Sequence, residues 1–594
     1  MENRQIARIL RETAQLLEID GAFIGRYRSY EKAAELVDSL PESVAALVLE
    51  PEKLKALPGI GERLAEHLRE IVKTGDYSLR KALLKKYPET LLQVLKLQSL
   101  GPKKVALLWK TFHAGTVEAV EALAREGKLR AVPGFGEKSE QNILKAVATF
   151  RKSSGRFHVH TAEASAERLI AHIQKAGKAV ASVTPAGSLR RGKETVGDLD
   201  LLVTLGAGHT SKAKVEALAE HILEFPGIAQ TLARGENKVS FTLEDGMQVD
   251  VRLLEKESFG AALLYFTGSK EHNVALRGRA NEMGYTLNEY ALSTLKGEKR
   301  AAGISEEEIY KKLKLDFIPP ELRENSGEIE AAEKHRLPRL LRREEIRGDL
   351  QMHTTASDGK NTIEEMATAA RKLGHEYIAI TDHSKAVTVA NGLDEKRMAA
   401  HIRKLHEADE AGLGIRVFAG AEVDILKDGT LDYSEEILAQ LDVVVCSIHS
   451  YMNLDREGMT ERMLAAIENP YTQIIAHPTG RLLLRREAFE YDMEKVLEAA
   501  AQHGVAMECN SYPDRLDLKD VYLRMCKERG VKVVISTDAH AAQNLPYIRY
   551  GVTMARRGWL EKADVINTLP AEEFLGALRA KPGAALRKKA ARRN

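Results

Sequence analysis

The sequence predicts a multidomain chain of α and α/β classes: a helical N-terminal part, a sheet-containing middle and a C-terminal β/α barrel. Three observations carry this. Apolar residues at helical spacing, punctuated by Gly and Pro, run through residues 1–150. A β-branched run at Ala179–Thr184 opens a strand-rich region with acids two residues apart. From Arg347 short apolar β-rich runs alternate with helical ones, and the runs lead into His, Asp or Glu.

The 594 residues, 44% of them hydrophobic, exceed one ordinary domain and suggest roughly three to five units. Charged residues make up 29% with a net charge of only +2, so a nucleic-acid binder is not evident from the total, and any basic track would be local and offset by acidic surface. Cys446, Cys509 and Cys526 stand in no CxxC spacing, which excludes a zinc ribbon or disulfide framework and fits a reducing cytosol. Met1-Glu2-Asn3-Arg4 lacks a signal-peptide core, and no apolar stretch is long enough for a membrane span. A cytoplasmic monomer is expected.

In the N-terminal part, Leu57-Pro58-Gly59-Ile60-Gly61-Glu62 and Val132-Pro133-Gly134-Phe135-Gly136-Glu137 resemble each other, and Leu100-Gly101-Pro102 is a weaker third copy. Each precedes a helical run. A glycine turn at a helix N-terminus leaves N–H groups unpaired and removes the Cβ atoms that would block a phosphate. One such copy reads equally well as an ordinary turn; the recurrence resembles the helix-hairpin-helix motif, which grips the DNA backbone without reading sequence. Arg26-Tyr27-Arg28-Ser29-Tyr30-Glu31-Lys32 looks like the lyase domain of DNA polymerase beta. That resemblance implies 5′-phosphate binding by Arg26, Tyr27, Tyr30 and Lys32, and backbone contacts at Gly59, Gly61, Gly101, Gly134 and Gly136. His67 stands where the family has its Schiff-base lysine. A Schiff base needs a primary amine, so gap binding can survive while the lyase reaction loses its nucleophile. His67 itself reads as an exposed helical residue.

In Gly197-Asp198-Leu199-Asp200, both carboxylates point to one strand face. Such a like-charged pair is tolerated mainly around a cation. Asp245-Gly246 marks a hairpin turn, and Asp250 on its second strand can pair alongside. Three carboxylates on neighbouring strands make a two-metal phosphoryl-transfer site. With Gly187-Ser188, Arg190-Arg191, Tyr265-Phe266-Thr267-Gly268-Ser269, Asn273 and Arg277, the set resembles the core of family X DNA polymerases over residues 1 to about 318. The resemblance implies a nucleotidyltransferase-type palm and a thumb-like α/β subdomain. Asp198, Asp200 and Asp250 would hold two Mg²⁺. Gly187, Ser188, Arg191 and Gly197 would bind the triphosphate. Tyr265, Phe266 and Gly268 would wall the sugar, Asn273 would contact the base and Arg277 the template. Lys270 replaces an acid common in the family.

Residues 319–346 read as an extended connector with a short helix. Beyond it, His353, Asp358, His383, Glu422, His449, His477, Asp538 and His540 follow successive strand-like runs, with Glu508 and Asn510 on another. In β/α barrels strand C-terminal ends converge on the active site. So many buried ionisable groups need a cation, and the mixture suits Zn²⁺, Mn²⁺ or Fe. This array resembles the PHP (polymerase and histidinol phosphatase) family and implies a distorted (β/α)7 PHP barrel. The eight residues would be ligands of up to three ions, Mn²⁺ or Zn²⁺, with Glu422 bridging. Gln351 replaces the first His of the family's His-x-His and would be a weaker ligand. Asp382 is expected to orient His383. Lys385 and Arg515 read equally as phosphate contacts and surface charges.

The domains expected are therefore 1–90 (lyase-like), 91–150 (second helix-hairpin-helix), 151–258 (palm), 259–318 (nucleotide and template contacts), 319–346 (connector), 347–577 (PHP) and 578–594 (basic tail). The function expected is a DNA-directed DNA polymerase that fills short gaps in base-excision-type repair, using gapped or primed duplex and dNTPs. A metal-dependent 3′–5′ exonuclease or end-processing phosphoesterase would be carried behind it. A scaffold with a dead PHP domain, favoured only by Gln351, and a histidinol-phosphate-type phosphatase are the rivals.

Overall fold

The computed structural model describes residues 3–579 except 40–42, 56, 58, 96, 98–99, 153–154, 297–298, 485 and 487. The expected basic tail, Arg587 to Arg593, lies outside the described residues.

The N-terminal part is helical: α1 (Asn3–Ile19), α2 (Ile24–Ser39), α3 (Glu62–Thr74), α4 (Pro102–Phe112) and α5 (Glu137–Lys152), with shorter helices between. Amphipathic faces close one core around Leu10, Leu68, Val105 and Val120. Each glycine turn opens a helix: Gly61 caps α3 and Gly101 caps α4, both without a side-chain cap bond, and Gly59 and Gly134 take φ of +82° and +86°. A Cβ at Gly59, Gly61, Gly101, Gly134 or Gly136 would meet nothing within 4 Å. These turns face open space.

The middle carries a five-stranded sheet of β1 (Val180–Pro185), β2 (Asp198–Leu205), β3 (Ile228–Arg234), β4 (Lys238–Leu243) and β5 (Gln248–Leu254), in the order β1-β2-β5-β4-β3. Burial alternates along β5, whose Val249, Val251 and Leu253 enter the core with Leu199 and Leu201 of β2. The opposite face is left for the acids. Helices α6 (Phe259–Thr267) and α7 (Lys270–Glu282) and three short strands follow.

The C-terminal unit is a seven-stranded parallel sheet: β6 (Gly348–Asp349), β7 (Tyr377–Ile380), β8 (Arg416–Asp424), β9 (Val443–Ser447), β10 (Ile474–Ile475), β11 (Ala506–Asn510) and β12 (Val533–Ser536), paired in chain order. Most strand residues are buried, as in sheets covered on both faces. His353 N–H donates to the Ala539 carbonyl at 2.9 Å and Met352 bridges Ala539, which brings the first and last strands together into a nearly closed barrel. Helix α8 (Ile548–Arg557) packs outside β11 and β12.

The connector differs from the extended form expected. Its short helix forms at Glu328–Glu333, but the segment is packed: Arg323 is wholly buried, bonded to Glu306, and Leu322, Leu340 and Leu341 are buried too. Charge density misled here because Glu321, Arg323, Glu324 and Glu328 are paired within the fold, while most of the remaining charges face solvent.

Two candidate active sites

The parallel pairing of β2 with β5 sets Asp200 directly opposite Asp250, with Asp198 one pleat along the same face. Burial, then Asp198 and Asp250, push the Asp200 carboxyl up to about 7. Lys238 Nζ lies 2.8 Å from Asp250 Oδ2, while Asp250 Oδ1 is buried without a partner. Crowded carboxylates with an orphaned oxygen fit divalent cations. Gly187, at φ +59°, passes so close that a Cβ would lie 2.4 Å from Asp200 Oδ2; only glycine lets this loop cover the acids.

Ser188 Oγ is buried and unpartnered at the start of that loop. Arg190 is committed elsewhere: its guanidinium pairs with both Glu306 oxygens at 2.8 and 2.7 Å and with Thr267 Oγ1 at 2.7 Å, tying palm to thumb. Arg191 donates to the Thr267 carbonyl and to Glu324 Oε1 at 3.0 Å, and a Cβ on Gly268 would sit 3.2 Å from its Nη1. Gly197 has only ordinary contacts at 3.6 Å or more. The Arg252 guanidinium lies 4.1 Å over the Phe266 ring and fixes it, with half-exposed Tyr265 edge-on at 5.0 Å. Asn273 Nδ2 donates to the Tyr265 carbonyl at 2.7 Å, and both line one shallow pocket with Arg277.

In the N-terminal part, Lys32 is exposed, Arg26 and Tyr27 are half-buried and Tyr30 is buried. His67 is not the exposed residue expected. It is half-buried, its Nδ1 lies 3.0 Å from the Tyr30 hydroxyl and its ring packs on Tyr77. Burial, then Arg63, hold the His67 imidazole below its usual range, with Arg26 adding to the same effect. Arg63, unmarked in the sequence, thus acts on this ring in the same direction as Arg26, against Glu70 and Glu66.

The barrel gathers the expected ligands from its strand ends around Glu422. Glu422 Oε2 is 3.4 Å from both His353 Nε2 and His383 Nδ1; Oε1 is 3.4 Å from His449 Nε2 and 3.0 Å from His477 Nε2. Asp358 lies 3.3 Å from His540 and 3.7 Å from His383, and Asp538 is 3.2 Å from His353. Three groups that could hold a metal ion emerge: His353–Asp358–His383–His540, His383–Glu422–His449, and His353–Glu422–Asp538. Burial alone would raise the Glu422 carboxyl, yet His383, His449 and His477 hold it well below the usual range. Burial pushes His383 down to about 4. Buried atoms without a hydrogen bond include His383 Nδ1, His477 Nδ1 and Glu422 Oε2, a fit to cations at this centre, and both amide atoms of Gln351 are likewise unbonded. His477 (φ +27°) and Asp538 (φ +54°) hold left-handed backbone, strain typical of functional positions.

Asp382 does not orient His383. It accepts from the Thr354 amide and hydroxyl at 2.8 and 2.7 Å and from Ser357, and pairs with His401 at 2.8 Å, so it braces the loop after His353. Orientation falls instead to Asp424, 3.0 Å from His449 Nδ1, a contact set by folding. Asn510 Nδ2 donates to Asp538 Oδ2 at 3.1 Å, and Glu508 accepts from the His477 amide at 2.6 Å; burial pushes the Glu508 carboxyl well up. Arg515 Nε lies 3.2 Å from Asp538, at the centre, whereas Lys385 pairs outward with Glu395 at 3.6 Å.

Family models match a DNA polymerase beta thumb at residues 262–324, a helix-hairpin-helix domain at 1–77, a SAM-like helix-hairpin-helix tandem at 91–149 and a PHP domain at 349–512. The DNA polymerase/3′-5′ exonuclease PolX of Bacillus subtilis (strain 168) is 37% identical over 569 residues, covering 96% of this chain and 97% of that protein. The chain belongs to the bacterial family X DNA polymerases with a C-terminal PHP domain. Two other relatives of this family X chain match a smaller part of it. A probable phosphatase of Acetivibrio thermocellus is 34% identical over 201 residues, 32% of this chain and 78% of that protein. One of Caldicellulosiruptor bescii is 33% identical over 198 residues, 32% and 77% respectively. The PHP match ends before Asp538 and His540, which the structure brings to the same centre. No described helix is long and apolar enough to cross a membrane.

Proposed function

We propose that this chain fills short gaps in DNA during base-excision-type repair and trims or cleans 3′ ends with its PHP centre, working as a cytosolic monomer. The observation that carries the reading is the Asp200–Asp250 pairing across parallel strands, beside a glycine loop with an unpartnered serine hydroxyl. Asp198, Asp200 and Asp250 would hold two Mg²⁺, which when bound supply the charge neutralisation that in-line nucleotide transfer needs. Lys238 must release Asp250 as the cations bind. Ser188 and Arg191 orient the triphosphate through hydroxyl and guanidinium donors. Phe266, held under Arg252, and Tyr265 form the sugar wall; Asn273 gives up its internal bond to reach the base edge. The open glycine turns before α3, α4 and α5 hold DNA phosphates through backbone N–H groups, a sequence-blind grip. Arg26, Arg63, Lys32 and His67 receive the 5′-phosphate of the gap.

At the PHP centre His353, Asp358, His383, Glu422, His449, His477, Asp538 and His540 would hold up to three Mn²⁺ or Zn²⁺, with Gln351 offering its amide oxygen. Asp424 fixes the ring of His449, Asn510 fixes Asp538, and Arg515 presents its guanidinium to the scissile phosphate. The orphaned ligand atoms support chemistry here over a scaffold role. One labelled gapped duplex tests the whole reading. Asp198→Ala or Asp250→Ala should abolish extension and spare 3′ cleavage; His383→Ala or His540→Ala should do the reverse. Extension near the wild-type rate in either aspartate variant refutes the polymerase site. A wild-type protein that binds no transition metal and degrades no DNA at any Mn²⁺ level refutes the nuclease.

A further inference from the structure

The expected triphosphate loop, residues 187–193, is not held by the polymerase half alone. Its last turn is seated on α8 of the barrel. Gly192 takes φ +65°, and a Cβ there would lie 2.1 Å from Thr553 Cγ2. The Arg191 carbonyl accepts from Arg557 Nη1 at 2.7 Å. One oxygen, Glu324 Oε1, accepts from both Arg191 Nε and Arg557 Nη1 at 3.0 Å, with Lys193 Nζ at 3.6 Å. Asp520 takes the other edge of Arg557, at 2.9 Å from Nε and 2.5 Å from Nη2. Arg557 is buried, so its fork has little water to substitute for these acceptors.

The charges decide what this cluster does. Among the described residues Arg191, Lys193 and Arg557 pair with Glu324 and Asp520, three cations against two carboxylates, which favours an anion beside the loop. Glu324 could draw Arg191 away from a triphosphate; Arg557 shares that carboxylate and so weakens its hold. The other end of α8 is anchored to the nuclease barrel. A Cβ on Gly551 would lie 2.1 Å from Ser511 Oγ and 2.7 Å from Ile535 Cγ2, and the Cys509 thiol donates to the Gly551 carbonyl at 3.5 Å. Those residues belong to or adjoin β11 and β12, the strands that deliver Asn510 and Asp538.

We propose that Arg557, on the PHP domain, is a positioning residue for nucleotide addition: through the Arg191 carbonyl and the shared Glu324 it fixes the triphosphate-binding loop of the polymerase. The inference rests on Arg191 as a triphosphate ligand. Arg557 reaches four acceptors at once, the Arg191 and Glu321 carbonyls, Glu324 and Asp520, because its guanidinium is a planar fork; a lysine ammonium on the same stem cannot span them. Without the brace the loop keeps its fold but not its aim, and misplacement of this kind is felt mainly in substrate binding.

The test uses the full chain in single-nucleotide gap filling with the dNTP titrated, and 3′ cleavage measured in parallel. Arg557→Ala and Arg557→Lys should each raise the dNTP KM about tenfold, with kcat within about threefold and cleavage unchanged. Arg557→Ala should add little further loss to Arg191→Ala, because both act through one loop. Should the alanine variant not fold, the lysine variant alone decides. A KM within twofold of wild type in the folded Arg557 variants overturns the brace if Arg191→Ala raises it. An unchanged KM in Arg191→Ala overturns the reading of the loop, and this proposal with it. Parallel loss of kcat and cleavage would assign Arg557 to general folding and overturn the proposal.

Discussion

Replacing His375 should make the barrel resist acid. The ring sits just before β7, is 7% exposed, and neither nitrogen has a partner among the described residues. Burial, with a smaller effect of Arg343, pushes it from 6.5 down to about 4. A base with a lowered folded pKa gives stability that is present above the unfolded value and lost as pH falls, because the unfolded chain takes up the proton first. The window is therefore about pH 6.5 down to 4. Protonation costs about 2 kcal/mol at pH 5 and about 3 kcal/mol at pH 4, and almost nothing at pH 7. His375→Leu removes the term. The sequence has only two tryptophans, so Trp109→Phe leaves Trp559, packed under Arg524 at 4.2 Å, as sole reporter of the barrel side. Unfolding free energies from urea titrations read by its fluorescence should fall by about 2 kcal/mol more between pH 7 and pH 5 in the His375 parent than in His375→Leu. Equal slopes with pH in the two proteins would show that the buried imidazole is not the acid-sensitive group.

Three further outcomes follow from contacts described above. Glu306→Ala strands the fully buried Arg323 and frees Arg190; it should destabilise the palm–thumb junction by about 3–5 kcal/mol, seen as a lower urea midpoint and faster proteolysis of residues 259–324. Gln351→His should tighten Mn²⁺ or Zn²⁺ in chelator competition, since an imidazole is the better donor; weaker binding would exclude position 351 from the ligand set. The protein should prefer a 5′-phosphorylated gap over a 5′-hydroxyl gap and form little borohydride-trapped adduct with an abasic 5′ end. Arg63→Ala should reduce the phosphate preference about tenfold, and efficient trapping would place an amine nucleophile elsewhere in this domain.

Much of both sites is legible before folding because strand geometry has a short period. Asp198 and Asp200 must share a face, and a Gly turn followed by an acid-bearing strand puts Asp250 beside them. The barrel ligands are legible by recurrence: one His after a strand means little, while a series of them needs a shared centre. What stays hidden is pairing at long range. Asp382 sits beside His383 in sequence but turns to Thr354, Ser357 and His401; Asp424, with no motif around it, takes the orienting role for His449. Arg63 and the His67–Tyr30 bond carry no local signal either. The connector misleads for a related reason, since composition reports how many charges a segment has and not whom they meet.

Arg323 and Glu324 are neighbours in the chain but serve opposite halves of the molecule. Arg323 is sealed beneath Tyr310 and Phe317 with Glu306, while Glu324 turns to the barrel's Arg557. Across the same seam Arg481 meets Glu194, Arg549 meets Glu163 and Arg556 meets Glu321. A gene truncated near this point would open this seam in both products. The barrel product would keep arginines whose acids had gone with the other piece, and the polymerase product would keep the acids. Each half alone would carry these charges unpaired, so single-residue variants of the full chain are the sound way to silence one activity and study the other.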